Sequence, residues 1–328
     1  MPDTRHLMPV KKRVIGSKPT LPELKQQGFD IDGISNPRFD LSKVKGQDEL
    51  VNFFRRQTRV FNKPHLSDAF KSFCGKQDYQ KYYLLEGPTG SGKTYIAEAF
   101  AGSLKNSYFL VVSASTLKNS QYINSTQMNL ERLFAKIRKY TSAGYTMVVL
   151  IDEIDSFLTQ KSNNTDQAVN REDNDIINRF LTFLDGAAGK PDKLFLFGTT
   201  NRYDYLDKTV VRPGRFEKVS VNYPDRHGVQ TILKYYLTSA FNRAGFLYRT
   251  EFEDKLIESF INQSPVLIKT AIEKTYEQIV LDYLIEYDDE QSTLCFTSWM
   301  LKREEEFIDK WFLGIYKLQS TPVLLEKH

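Results

Sequence analysis

Tyr82-Tyr83-Leu84-Leu85-Glu86-Gly87-Pro88-Thr89-Gly90-Ser91-Gly92-Lys93-Thr94-Tyr95-Ile96-Ala97-Glu98-Ala99-Phe100 joins an apolar run, a glycine-rich turn ending in Lys-Thr, and a helix-prone stretch. The order strand, G-x-x-x-x-G-K-T, helix is that of a phosphate-binding loop. Glycines at 87, 90 and 92 let the backbone wrap closely around an anion. Successive N–H groups and the positive end of the following helix then converge on phosphate oxygens. Residues Gly87, Pro88, Thr89, Gly90, Ser91, Gly92, Lys93 and Thr94 are therefore the expected phosphate cradle. Lys93 is expected to reach the β/γ oxygens and the Thr94 hydroxyl to ligate Mg²⁺, so ATP and Mg²⁺ are the expected cofactors.

Working outward, short apolar runs alternate with amphipathic stretches between Phe39 and Pro224: Tyr82 to Leu85, Tyr108 to Val112, Met147 to Ile151, Leu194 to Gly198 and Val219 to Val221. That alternation predicts an α/β fold, a largely parallel sheet flanked by helices. Val148-Val149-Leu150-Ile151-Asp152-Glu153 reads as a buried strand whose carboxyl end carries two acids into the ligand crevice. Asp152 is expected to hold Mg²⁺ through its water shell and Glu153 to polarise the attacking water. Leu194-Phe195-Leu196-Phe197-Gly198-Thr199-Thr200-Asn201 is a second buried strand, and Asn201 at its end is placed to orient the water or touch the γ-phosphate.

After Pro224 the spacing turns helical. Val229, Ile232, Leu233, Tyr236 and Leu237 share one face, and Ser264-Pro265 supplies an N-cap followed by proline at the first helical position. Leu267, Ile268, Ala271, Ile272, Ile279, Val280, Tyr283 and Leu284 continue an apolar stripe, giving a small helical subdomain. A last amphipathic stretch sets Phe307, Ile308, Trp311, Phe312, Ile315 and Tyr316 on one stripe, expected to pack on the chain's own lid. The expected organisation is a flexible N-terminal arm over 1–38, a phosphate-binding α/β domain over 39–224, a helical lid over 225–292 and a C-terminal helical extension over 293–328. The arm is rich in Pro, Gly and Lys without sustained periodicity.

The 328 residues, 41% of them hydrophobic, suffice for one substantial core and a smaller one. A formal charge of +4 does not by itself argue for nucleic acid. Two cysteines, Cys74 and Cys295, are too few for a disulfide framework and suit a reducing compartment such as the cytoplasm. No apolar stretch approaches the ~20 residues needed to span a bilayer, so no membrane span is expected.

Thr199-Thr200-Asn201-Arg202, then Leu206-Asp207, then Val211-Arg212-Pro213-Gly214-Arg215-Phe216-Glu217 closely resembles the second region of homology of the AAA ATPases. Ile151-Asp152-Glu153-Ile154-Asp155-Ser156 and Phe183-Leu184-Asp185-Gly186 resemble the same family's acidic motif and the helix end that follows it. The resemblance covers about Leu41 to Glu277. It implies that Asn201 senses the γ-phosphate and that Arg212 and Arg215 reach the nucleotide of a neighbouring subunit. A planar, permanently charged guanidinium supplied in trans would make hydrolysis conditional on assembly. Leu41-Ser42-Lys43-Val44-Lys45-Gly46-Gln47 resembles the family's entry segment, so Val44, Lys45 and Gly46 are the base-pocket candidates. Gln121-Tyr122-Ile123-Asn124 looks like the first pore loop, in which Tyr122 and Ile123 would grip a polypeptide. Two departures stand out: Asn124 occupies the place of a small residue, and Ser264-Pro265-Val266 stands where many relatives open a lid helix with Gly-Ala. No H-E-x-x-H metal site occurs. The resemblance implies an ATP-hydrolysing ring, a homohexamer, that remodels or translocates a protein substrate, alone or with an adaptor in a larger complex. Two other classes remain open: a loader or remodeller of nucleic-acid complexes, and a nucleotide-switched subunit of a larger assembly.

Overall fold

The computed structural model describes residues 18–75, 80–118, 125–156, 158, 167–186, 191–244, 253–286, 310 and 314. In chain order the elements are α1 (Leu21–Gln26), β1 (Ile34–Ser35), α2 (Asp48–Phe61), α3 (Pro64–Cys74), β2 (Tyr82–Glu86) and α4 (Lys93–Gly102). Then come β3 (Ser107–Ser113), α5 (Ala114–Lys118), α6 (Ser125–Ser142), β4 (Thr146–Asp152), α7 (Gln167–Asp185), β5 (Leu194–Thr200) and β6 (Glu217–Ser220). The chain continues through α8 (Arg226–Ala244), α9 (Glu253–Phe260) and α10 (Pro265–Glu286).

The strands form one six-stranded sheet in the order β1-β3-β4-β5-β2-β6. All pairings are parallel except that of β1 with β3. Four strands contain the apolar runs read from the sequence, and β6 (Glu217–Ser220) begins two residues before the expected Val219 to Val221, in keeping with the α/β expectation. Alternation explains why those runs are apolar throughout, since successive side chains of a strand face opposite sides and both sides are covered. On β4, Met147, Val149 and Ile151 join one buried cluster with Leu130, Ile137 and Tyr140 of α6 and Phe180 and Leu184 of α7. Val148 and Leu150 face the other, with Phe54 of α2 and Ile96 and Phe100 of α4. Aromatic rings dominate this second layer: Phe54, Tyr83, Phe100 and Phe197 meet edge-on or tilted at centroid distances of 5.1–6.3 Å. A separate apolar cluster holds α8, α9 and α10 together, with Leu233, Phe260 and Ile272 at its centre. Thus the lid carries a core of its own.

The arm departs from expectation. Residues 18–38 are docked on the sheet: Leu24 is fully buried and Ile34 nearly so, both in the cluster beneath α6 and α7. Phe29 stacks edge-on against Tyr140 at 4.8 Å and Tyr145 at 5.9 Å. Few apolar side chains and no periodicity made this stretch look like a linker, but Leu24 and Ile34 enter the core and Leu21, Phe29 and Ile31 pack against it half-buried. Its ends are tied as well, with the Tyr108 hydroxyl donating to Pro19 O at 2.6 Å and the Arg38 amide donating to Glu98 Oε1 at 3.1 Å. Residues 1–17 lie outside the described residues. Of the C-terminal stripe only its neighbours Lys310 and Gly314 are described; a Cβ on Gly314 would come 2.9 Å from Thr275 Cγ2 of α10. Among the described residues no helix is long and apolar enough to cross a membrane.

Candidate functional site

The loop from Gly87 to Gly92 turns the chain from β2 into α4 at the carboxyl end of the sheet. Gly87 is obligatory in this fold, because a Cβ there would sit 2.1 Å from the Val221 carbonyl oxygen. Gly90 and Gly92 take φ values of 77° and 100°, conformations that side chains resist. Lys93, the first residue of α4, folds its ammonium back across the loop. It donates to Gly87 O at 2.7 Å, Pro88 O at 2.8 Å and Asn201 Oδ1 at 2.7 Å. Burial pushes its pKa below the usual lysine value, opposed by the negative charge of Asp152, Glu86 and Asp155. A half-desolvated cation with neutral oxygen partners is a strong attractor for phosphate oxygens.

Two neighbouring strand ends complete the arrangement. Asp152 ends β4, and Thr199 sits one residue from the end of β5. The Thr199 hydroxyl donates to Asp152 Oδ1 and accepts from the Glu153 amide at 3.0 Å. One threonine therefore fixes both members of the acidic pair. Glu153 has φ of 54°, which is uncommon for a non-glycine residue. On a continuing strand Asp152 and Glu153 would face opposite sides of the sheet; the left-handed turn brings both to one cavity. Strain of this kind costs about 1–2 kcal/mol and persists where its surroundings hold it. Asn201, just beyond β5, bridges Lys93 and, through its amide nitrogen, Thr89 Oγ1 at 3.1 Å. Lys93, Thr94, Asp152, Glu153, Thr199 and Asn201 all line one cavity of about 330 Å³. Thr94 and Asp152 offer a hydroxyl and a carboxylate, the hard oxygen donors that Mg²⁺ takes while keeping most of its waters, so the residues present fit that ion.

The other expected site residues fall around this centre. Val44 is buried, and Gly46 passes so close to the lid that a Cβ would meet Gly228 O at 2.6 Å. Lys45 turns to Ser42 O at 2.8 Å and over the Tyr235 ring at 5.3 Å. Val44, Lys45 and Gly46 thus lie where the entry segment meets α8, and they do not line the cavity. Arg212 is exposed. Arg215, by contrast, is turned inward: its guanidinium donates to both carboxylate oxygens of Asp185 at 2.9 and 2.7 Å and to Thr209 O. Hydrogen bonding to Asp185 raises its already high pKa. Tyr122 and Ile123 lie outside the described residues.

Sequence reasoning assigned no role to Thr199, to Asp185 as the partner of Arg215, or to the groups behind the loop. Gln47 Nε2 donates to Ser91 O and Asn222 O, both at 3.0 Å, the Tyr223 hydroxyl to Thr89 O at 2.8 Å, and the Ser264 hydroxyl to Gly90 O at 2.7 Å. In the sequence Ser264 stood out only as the N-cap before Pro265 and Gln47 only as part of the entry segment, and nothing tied either to the loop.

Residues 83–222 match the family described as ATPase family associated with various cellular activities (AAA). A protein named AAA ATPase forming ring-shaped complexes, from Bifidobacterium animalis subsp. lactis, is 32% identical over 222 residues, covering 66% of this chain and 41% of that protein. One of the same name from Kocuria rhizophila is 34% identical over 171 residues, 48% of this chain and 29% of that one. A proteasome-associated ATPase of Acidothermus cellulolyticus is 30% identical over 216 residues, 62% of this chain and 35% of that one. The chain spans less than half the length of these relatives.

Proposed function

Residues 83–222 of this chain belong to the AAA family of ATPases, and from that premise we propose that the protein is a ring-forming motor, a homohexamer, that hydrolyses ATP to remodel or translocate a protein substrate. The observation that carries the catalytic part is the convergence of Lys93, Asp152, Glu153 and Asn201 on one cavity at the carboxyl ends of β2, β4 and β5. In this reading the loop amides and Lys93 bind the β- and γ-phosphates. Thr94 and Asp152 would hold Mg²⁺, which when bound would neutralise charge on the phosphate oxygens. Glu153 accepts the proton of the attacking water, and Asn201, hydrogen-bonded to Lys93, positions the γ-phosphate end of the site. Arg212, exposed on its loop, is presented to the nucleotide of the next subunit.

The names of the ring-forming and proteasome-associated relatives support the ring and the protein substrate. The cytoplasm is the proposed location, consistent with two cysteines in the whole chain. Phosphate release at saturating ATP tests the catalytic reading. Lys93→Ala is expected to lose ATP binding. Glu153→Gln is expected to bind ATP with turnover lowered by about two orders of magnitude or more, since it keeps the shape and removes the base. Normal turnover by Glu153→Gln would remove that residue from the mechanism.

A further inference from the structure

Three consecutive carbonyls on the outer side of the phosphate loop are held by side chains from three separate segments: Thr89 O by Tyr223, Gly90 O by Ser264 and Ser91 O by Gln47. In a trans peptide the carbonyl of one residue and the N–H of the next point in opposite directions. Fixing the carbonyls of Thr89 and Ser91 therefore turns the amides of Gly90 and Gly92, both cavity-lining residues, away from Tyr223 and Gln47. Fixing Gly90 O leaves the Ser91 amide facing Pro88 O, to which it donates at 3.3 Å. The amides of Gly90 and Gly92 are thus aimed from behind, while the Ser91 amide is held within the loop.

Ser264 differs from the other two because it belongs to the lid. It caps α10, whose twenty-two residues include Ile268, Ile272 and Tyr283 of the lid core. Its hydroxyl oxygen accepts the Val266 amide at 3.3 Å while its proton goes to Gly90 O at 2.7 Å. Pro265, at the first helical position, has no amide to compete for that oxygen. Contact is close enough that a Cβ on Gly90 would lie 2.8 Å from Ser264 Oγ. Val266, next along α10, itself lines the cavity.

We propose that Ser264 is a positioning residue that ties the lid to the phosphate loop, so that the rate at which a nucleoside diphosphate leaves is set by the breaking of the Ser264–Gly90 hydrogen bond. The proposal rests on the ATPase reading above. With the bond made, lid and loop move as one body and the amides stay aimed at the β-phosphate. When the lid swings, Gly90 O loses its donor and the loop relaxes.

The test is stopped-flow release of a fluorescent ADP analogue from the full chain, chased with unlabelled ADP. Ser264→Asp keeps the helix cap, because a carboxylate accepts the Val266 amide, but it has no proton for Gly90 O. In about 1 M salt, where repulsion of the phosphates by the new carboxylate is screened, this variant is expected to release the analogue about five- to tenfold faster than the parent, the size of effect that one hydrogen bond carries. Ser264→Thr keeps both roles and is expected to stay close to the parent rate. Tyr223→Phe removes only the donor to Thr89 O and is expected to accelerate release in the same direction. Parent-like release from Ser264→Asp that still binds the analogue overturns the proposal. So does equal acceleration by Ser264→Thr, which would mean that packing and not the proton matters. Failure of the parent chain to bind any adenine nucleotide would instead overturn the ATPase reading.

Discussion

Glu98 of α4 keeps a carboxylate almost out of water, its side chain 6% exposed, and pairs it with Arg38 from the N-terminal segment. Arg38 donates to it through the backbone amide at 3.1 Å and through the guanidinium at 2.8 and 2.7 Å. The side-chain hydrogen bond to Arg38 holds the carboxyl below its ordinary 4.5 against the opposing effect of burial. A depressed carboxyl contributes stability at pH above its unfolded-state value and loses it as pH falls through the folded one. Arg38→Ala is therefore expected to cost about 1–3 kcal/mol at neutral pH, towards the lower end because Arg38 itself is largely exposed, and the cost is expected to shrink as the pH falls below 4.5 and through the lower folded-state value. Chemical denaturation of both proteins across that range measures it. The two candidate fingers should also separate. Removing Arg215 breaks a forked ion pair with Asp185, so Arg215→Ala is expected to lower the melting temperature of the isolated subunit, whereas Arg212→Ala leaves it unchanged. Both are expected to impair turnover in the assembled state. Lys93 was legible in the sequence from the glycine-rich loop before it, and Asp152, Glu153 and Asn201 because each lies at the polar end of an apolar run. The Asp185–Arg215 and Ser264–Gly90 pairs were not, because their members are 30 and 174 residues apart and meet only through the fold.

Among the elements, β2 to β6 were legible from runs of branched and aromatic residues bounded by turn formers, and α10 from Ser264-Pro265 at its start. β1 was not, since two residues give no period and its pairing partner lies some 75 positions away. The lid packs chiefly on itself, and it touches the α/β domain where Gly46 crosses Gly228 and where Ser264 meets Gly90. Its stability is accordingly expected to be local. Ile272→Ala, a truncation at a buried lid position, is expected to cost about 2–5 kcal/mol. In amide exchange the loss of protection should appear across α8, α9 and α10 while β2, β4 and β5 keep theirs. Equal loss in the sheet would show that lid and sheet unfold as one unit.

For the whole molecule, the segment from 18 to 38 is part of the fold, so its removal should not be silent. Full burial of a side chain such as Leu24 or Ile34 is worth about 1.5–3 kcal/mol, and the Arg38 contact is lost besides. Deleting 18–38 is expected to lower the melting temperature by roughly 10 °C, as read by calorimetry. There is a second effect, which follows from β1. That short strand lies antiparallel along the outer side of β3, pairing Ile34 with Leu110 and Ser35 with Phe109, and so seals one margin of the sheet. A subunit stripped of it offers the hydrogen-bonding groups of β3, with Val111 already 42% exposed beside them, to any other strand. Pairing of that edge with the opposite edge, β6, of another copy is head-to-tail, so copies joined in this way would add end upon end. The same few residues that complete the subunit thereby guard it against open-ended polymerisation, and light scattering of the truncated chain should rise steeply with concentration.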